Sequence, residues 1–312
     1  MTRPIVFHVP QDWLGPSGEG LMPFYARLRD GLQARGHPVD IRPLAATRGK
    51  ARVLDQADSD QAIHLVNHGR LSHPRVWNAG IAYIYPFWNV DPQGIRAFSS
   101  IADQTFDPDQ TDAAQARPFF RRLRKRLVDA RSSRYPQPEG HSPVPDQATT
   151  VFLQSEAHRD VDETCHLTRD QMVDTVLAHA PGPVVIKPHP RDDDPTTTTW
   201  LADLAARHPR LTVSQGNIHD LLASCARVVT INSAVGVEAY LHRKPVVLCG
   251  QADFHHIART ARSPDDLARA ITDPPRKRAY DKYIHWYFAQ NCLATTDPDL
   301  ADRFLQRTQA GL

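Results

Sequence analysis

VVIKPHPRDDD (Val184–Asp194) and VVTINSAVGVEAYLHRKPVVLCG (Val228–Gly250) decide the reading of this chain. Each opens on an apolar, β-branched run, the pattern of a strand buried on both faces. Lys187, His189 and Arg191 follow the first run. Asn232, Ser233 and a small-residue turn follow the second, with Glu238 inside the next expected helix. Ligands of parallel α/β sheets bind beyond the carboxyl ends of the strands. Two such strand ends side by side suit a phosphate and a sugar.

The surrounding sequence repeats the strand–helix alternation of a parallel sheet. Strands are expected at Thr150–Leu153, Pro183–Ile186, Leu211–Val213, Arg227–Ile231 and Pro245–Leu248. Helices are expected at Thr168–His179, Trp200–Arg207, Ile218–Cys225, Val235–Leu241 and Asp265–Ile271. A terminal helical segment, Arg276–Asn291, carries Tyr280, Ile284 and Tyr287 at helical spacing. The first half shows the same alternation more faintly. Strands are expected at Ile5–Val9, Val39–Ile41, Ala62–Val66 and Gly80–Tyr85, and a helix at Pro23–Arg35 that Gly36 stops.

Between the halves, PFFRRLRKRLVDAR (118–131) reads as a basic amphipathic helix, and RSSRYPQPEGHSPVPDQ (131–147) as a Pro- and Ser-rich linker. The expected architecture is therefore α/β: two Rossmann-like domains facing across a cleft, residues 1–145 and 146–312, with a C-terminal helix. A chain of 312 residues is long enough for two cores.

Composition excludes several classes. The net charge of +2 gives no reason to expect a nucleic-acid partner. No window approaches the roughly 20 apolar residues of a spanning helix. The opening MTRPIVFHVP lacks the apolar core of a signal peptide, so a cytoplasmic protein is expected. Cys165, Cys225, Cys249 and Cys292 are scattered and form no CxxC pair, and no HExxH spacing occurs, so no metal site is expected. The basic helix can rest on an anionic membrane surface or present a solvated face.

The chemistry at each motif can be stated. A hydrogen bond from His189, aided by Lys187 or Arg191, would stabilise the charge on a departing nucleoside monophosphate. The prolines around His189 stiffen its turn; the plainer alternative is a rigid turn with solvated basic residues. Asn232 or Ser233 occupies an expected helix N-cap, where backbone amides and the helix dipole receive phosphate. Glu238, one to two turns on, can accept hydrogen bonds from ribose hydroxyls; the alternative is a capped helix with a surface glutamate. In FLQSEAHRDVDET, Glu156, Asp160 and Asp162 follow the strand that ends at Gln154 and could supply a nucleophile or general base. That segment also reads as an acidic loop leading into a helix. On the acceptor side, His8 and the glycines Gly15 and Gly18 of QDWLGPSGEG are candidates; this loop lacks the GxGxxG dinucleotide fingerprint.

The order of these residues resembles the capsular polysaccharide synthesis proteins, the retaining β-Kdo transferases of bacterial capsule assembly and their relatives. Gln154 with Asp160 or Asp162, Lys187-Pro188-His189-Pro190, Asn232-Ser233 through Glu238-Ala239, then Pro245-Val246 and Gly250 carry the likeness, over about residues 150–272. The resemblance implies a GT-B fold, a CMP-activated sugar donor as substrate with no separate cofactor or metal, and a lipid-linked or oligosaccharide acceptor. It implies that His189 meets the CMP phosphate and that Ser233 and Glu238 bind the nucleotide. It also implies that an aspartate after Gln154 is the catalytic carboxylate; Asp160 and Asp162 both stand where it would be. Two other readings remain open on these residues: a GT-B-fold UDP-sugar epimerase or hydrolase, and a non-catalytic capsule assembly or export subunit.

Overall fold

Ile5–Val9 (β1) is apolar at four of five positions and entirely buried, which places it at the centre of a sheet. A computed structural model of the chain describes residues 2–15, 20–44, 49–141, 143–154, 164–274 and 276–309. The chain divides into two units: Met1–Gln104 with Tyr287–Leu312, and Thr105–Trp286.

In the first unit β1 is joined by β2 (Val39–Pro43), β3 (Ile63–Asn67), β4 (Val76–Ile81), β5 (Phe87–Asp91) and the late β12 (Leu293–Ala294), in the order β12-β5-β4-β3-β1-β2. The β1–β4 pairings are parallel; β5 and β12 run antiparallel to their neighbours. Helix α1 (Pro23–Gln33) buries Phe24, Tyr25, Leu28 and Leu32, the four-residue spacing seen in the sequence. Helix α2 (Gly49–Ser59) buries only Gly49, Val53 and Ala57, too thin a stripe to be read in advance. The expected single strand at 80–85 is instead the end of β4 and a tight connection into β5.

The second unit begins with α3 (Ala113–Arg124), extended by a wide turn at Lys125–Asp129. Its sheet comprises β6 (Thr149–Phe152), β7 (Val184–Lys187), β8 (Leu211–Val213), β9 (Arg227–Thr230), β10 (Val246–Leu248) and β11 (Arg259–Thr260), all parallel, in the order β11-β10-β9-β6-β7-β8. Its further helices are α4 (Arg169–His179), α5 (Pro195–Arg207), α6 (Ile218–Ser224), α7 (Val235–Leu241), α8 (Pro264–Thr272) and α9 (Tyr280–His285). The chain winds outward from β6 through β7 to β8, then returns to the other side of β6 with β9. The reversal of direction makes a topological switch point between β6 and β9, where crevices in such sheets take their ligands.

Two Rossmann-like α/β units are thus present, as the strand–helix alternation led one to expect. The break between them falls near residue 104 rather than near 145. The reason is α3: its Ala116, Phe120 and Leu123 are buried, and it packs on α9 and α7 of the second unit. Residues 287–312 return to the first unit, where β12 extends the sheet and a last helix, α10 (Leu300–Gln309), lies against α1. A β-carbon on Gly31 would stand 2.9 Å from that of Ala301, so the glycine allows this close approach.

Candidate functional site

At the switch point the ends of β6 and β9 are tied side chain to side chain. Gln154 Nε2 donates to Asn232 Oδ1 at 3.2 Å, and the Asn232 amide donates to Gln154 Oε1 at 3.1 Å. Asn232 Nδ2 also donates to Thr164 Oγ1 (3.3 Å) and to the Gln251 carbonyl (3.0 Å), which brings in the loop after β10. Gly250 makes that approach possible, since a β-carbon there would lie 2.6 Å from the Thr164 carbonyl oxygen. Asn232 therefore shapes the floor and does not cap the following helix. Ala234 stands at the start of α7 with helical dihedrals and no side-chain cap bond, while Ser233 Oγ accepts from the Val235 amide at 3.4 Å.

Lys187 closes β7. It is buried, its Nζ donates to the Gly216 carbonyl at 2.8 Å, and burial lowers its pKa. The positive charge thus sits under the strand ends rather than at the surface. Two residues on, the Arg191 amide donates to His189 Nδ1 at 3.2 Å. With Nδ1 accepting, the neutral imidazole carries its proton on Nε2, and that edge is the donor. The His189 ring meets Tyr135 edge-on at 5.2 Å, and the Arg191 guanidinium lies 4.9 Å from the centre of the same tyrosine ring.

Glu238 is buried on α7, all seven residues of which are buried. Desolvation pushes its carboxyl up to about 7, against the opposing effect of a hydrogen bond from Ser133 Oγ at 2.6 Å. Ser133 and Tyr135 belong to the stretch expected to be a linker. Instead it is a strap fastened to the second unit. Arg131 pairs with Asp220, and Asn217 Nδ2 donates to the Pro138 carbonyl at 3.0 Å. The Ile218 amide donates to Gln137 Oε1 at 3.1 Å. His219 holds the Ser132 carbonyl and, on its other nitrogen, His242, each at 3.0 Å. Burial lowers the pKa of both rings, that of His242 to about 3, so this pair is neutral near pH 7.

The strap sets a length scale. Two residues of extended chain span at most about 7 Å, and Ser133 touches Glu238 while Tyr135 touches His189. One short segment thus contacts both the buried carboxyl, through Ser133, and the imidazole, through Tyr135. Ser133 and Tyr135 have no periodic signature; a lone aromatic in a Pro- and Ser-rich segment is the one hint that could have found them.

The remaining expected residues fall elsewhere. Glu156, Asp160, Asp162 and Gly18 lie outside the described residues, and Gly15 is in the loop after the first turn. His8 is 2% exposed in the first unit. Its Nε2 meets His64 Nδ1 at 2.9 Å, and His64 Nε2 meets Asp60 at 3.0 Å. Burial lowers the His8 pKa to about 4. His8 thus lies buried near the carboxyl end of β1, hydrogen-bonded to His64. The face of α3 that would enter a membrane is likewise covered, since Phe120 and Leu123 are buried within the second unit; Arg121, Arg122, Lys125 and Arg126 are exposed. Among the described residues no helix is long and apolar enough to cross a membrane.

A family model described as capsule polysaccharide biosynthesis protein matches residues 139–294. No curated protein matches the chain in sequence. Two solved structures from Thermosulfurimonas dismutans resemble it. KpsC, beta Kdo 2,7 transferase, superposes with a TM-score of 0.59 at 15% identity, over 98% of each chain. KpsC, beta Kdo 2,4 transferase, superposes with a TM-score of 0.54 at 15% identity, over 91% of this chain and 89% of that one. At such identity the likeness is one of fold, and that fold is GT-B.

Proposed function

We infer that this chain, which belongs to the capsule polysaccharide biosynthesis protein family, is a glycosyltransferase that moves Kdo from a CMP-activated donor to a lipid-linked or polysaccharide acceptor. The observation that carries the reading is that one short strap contacts Glu238 through Ser133 and His189 through Tyr135. A nucleoside monophosphate has a ribose and a phosphate a few bonds apart, and this pair can serve both ends. Glu238 accepts from ribose hydroxyls, taking over or sharing the place of Ser133. His189 donates from Nε2 to the phosphate.

In the transfer, the bond from the anomeric carbon to the phosphate oxygen breaks and its electron pair leaves with CMP. Negative charge grows on the phosphate as it departs. A donor already aimed there lowers the barrier, since it requires no reorganisation at the moment of reaction. Lys187, buried beneath, and Arg191 raise the local positive potential. The nucleophile of a double displacement is Asp160 or Asp162, as the likeness to β-Kdo transferases implies. The exposed basic residues of α3 hold the enzyme at an anionic membrane surface, by charge and not by insertion.

Incubation with CMP-Kdo and a Kdo-terminated glycolipid tests this. Acceptor-dependent release of CMP, with a product heavier by one Kdo, is expected. Turnover of a UDP-sugar with no acceptor present, and none of CMP-Kdo, contradicts it.

A further inference from the structure

The second unit has another pocket, at the opposite edge of its sheet. Arg227, Val246 and Arg259 begin β9, β10 and β11, so their amino-terminal ends line it. Asn232 lies five residues beyond Arg227, roughly 15 Å away along the strand. The pocket is shallow and opens to solvent. Four arginines line it: Arg227, Arg259, Arg276 and Arg278. Asp273 is the single carboxylate among its lining residues and is paired with Arg259 at 2.9 Å. Three guanidinium charges are left without a carboxylate in the lining.

Arg227 is the informative member. Its Nη1 is buried and has no hydrogen-bond partner, although a buried donor is nearly always satisfied. Burial and, less strongly, the neighbouring charge of Arg259 lower the Arg227 pKa, with Asp273 opposing them. Arg278 has its Nε fixed by the Ile257 carbonyl at 3.0 Å, which orients its fork. Planar forks of this kind match the oxygens of phosphate two at a time. The rest of the lining is apolar: Pro245, Val246, Val247, Ile257 and Ala270.

We propose that this pocket is a binding site for a phosphate ester, separate from the strand-end site at the other edge of the sheet. The phosphate would sit among the guanidinium groups of Arg227, Arg276 and Arg278. Two sources offer this chemistry, a soluble sugar phosphate and a phospholipid headgroup.

The test titrates the full chain with a hexose 1-phosphate by calorimetry, and with phosphatidylglycerol against phosphatidylcholine vesicles by co-sedimentation. Arg276→Glu reverses an exposed charge and leaves the core untouched; Arg227→Gln removes the buried donor. Saturable binding of the hexose phosphate, weakened at least tenfold in R276E and in R227Q but retained in H189A, assigns a soluble ester. Binding confined to phosphatidylglycerol vesicles, with the same loss in both variants, assigns the headgroup. No saturable binding of either ligand, or equal binding by wild type and R276E, overturns the proposal. R276E decides the matter even if R227Q fails to fold.

Discussion

Replacing Glu238 by Gln should change the pH dependence of stability in one direction only. The carboxyl has an ordinary pKa of 4.5 and is pushed up to about 7 in the folded protein, chiefly by desolvation. The folded state therefore holds a proton that the unfolded state releases across this range. Stability permitted by the neutral acid is fully present below pH 4.5 and is lost as pH rises through 7. The loss integrates to about 3 kcal/mol. For a unit of this size that corresponds to roughly 6–12 °C in melting temperature, as an upper bound. Glutamine is nearly isosteric, never ionises, and still accepts from Ser133. Buried histidines oppose the trend: the lowered pKa values of His8 and His242 make stability rise between about pH 4 and 6.5. Those groups titrate alike in both proteins and cancel in the difference. Scanning calorimetry of wild type and E238Q at pH 4.5, 6 and 8 should show similar melting at pH 4.5 and a widening advantage for E238Q up to pH 8. A difference that does not vary with pH refutes the burial argument for this carboxyl.

Further outcomes follow from the strap and from α3. Ser133→Ala removes the donor that favours the charged form of Glu238, so in an S133A background the E238Q advantage should still begin near pH 4.5 but level off at a higher pH and grow larger; an unchanged profile contradicts the 2.6 Å bond. Tyr135→Ala strips the ring that steadies His189 and Arg191, contacts worth about 0.5–1.5 kcal/mol each. CMP affinity measured by calorimetry should fall roughly three- to tenfold with little change in melting temperature, and undiminished affinity would count against the strap's part in the site. Leu123→Ala should cost about 2–5 kcal/mol, because the apolar face of α3 is buried. Arg121→Glu with Lys125→Glu should leave stability unchanged and weaken binding to anionic vesicles. An α3 that inserted in the bilayer would give the reverse pattern.

The second unit was far more legible than the first. Its strands are short, continuous apolar runs closed by Gly, Pro or Asn, and expected and observed bounds differ by a residue or two: Pro183–Ile186 against Val184–Lys187, for example. Strands buried on both faces leave little ambiguity. The KPHP and NSxxGxE segments fell at strand ends because such polar residues cannot continue a buried strand. In the first unit, the strand expected at 80–85 catches only the end of β4, and β5 was missed, because Trp77, Trp88 and Asn89 lack a β-branched run and the connection between the two strands is brief. Helix α10 was missed: it exposes Asp302 and Gln306 and turns Arg303 and Arg307 onto backbone carbonyls of Ala289, Cys292, Val90 and Asn291, contacts that only make sense once β12 has brought the chain back. The strap was misread for a related reason. Its composition is that of a linker, and its role rests on hydrogen bonds to residues about 80 to 105 positions away, a separation that no local pattern encodes.

The central claim is that the strand-end site at the switch point holds CMP. Calorimetric titration of the purified protein with CMP, CDP, UMP and UDP, repeated with His189→Ala, tests it most directly. The account predicts that CMP binds most tightly and that H189A weakens it by roughly tenfold or more, the loss of a charge-assisted hydrogen bond. Preference for UDP, or CMP affinity unaffected by H189A, would contradict it.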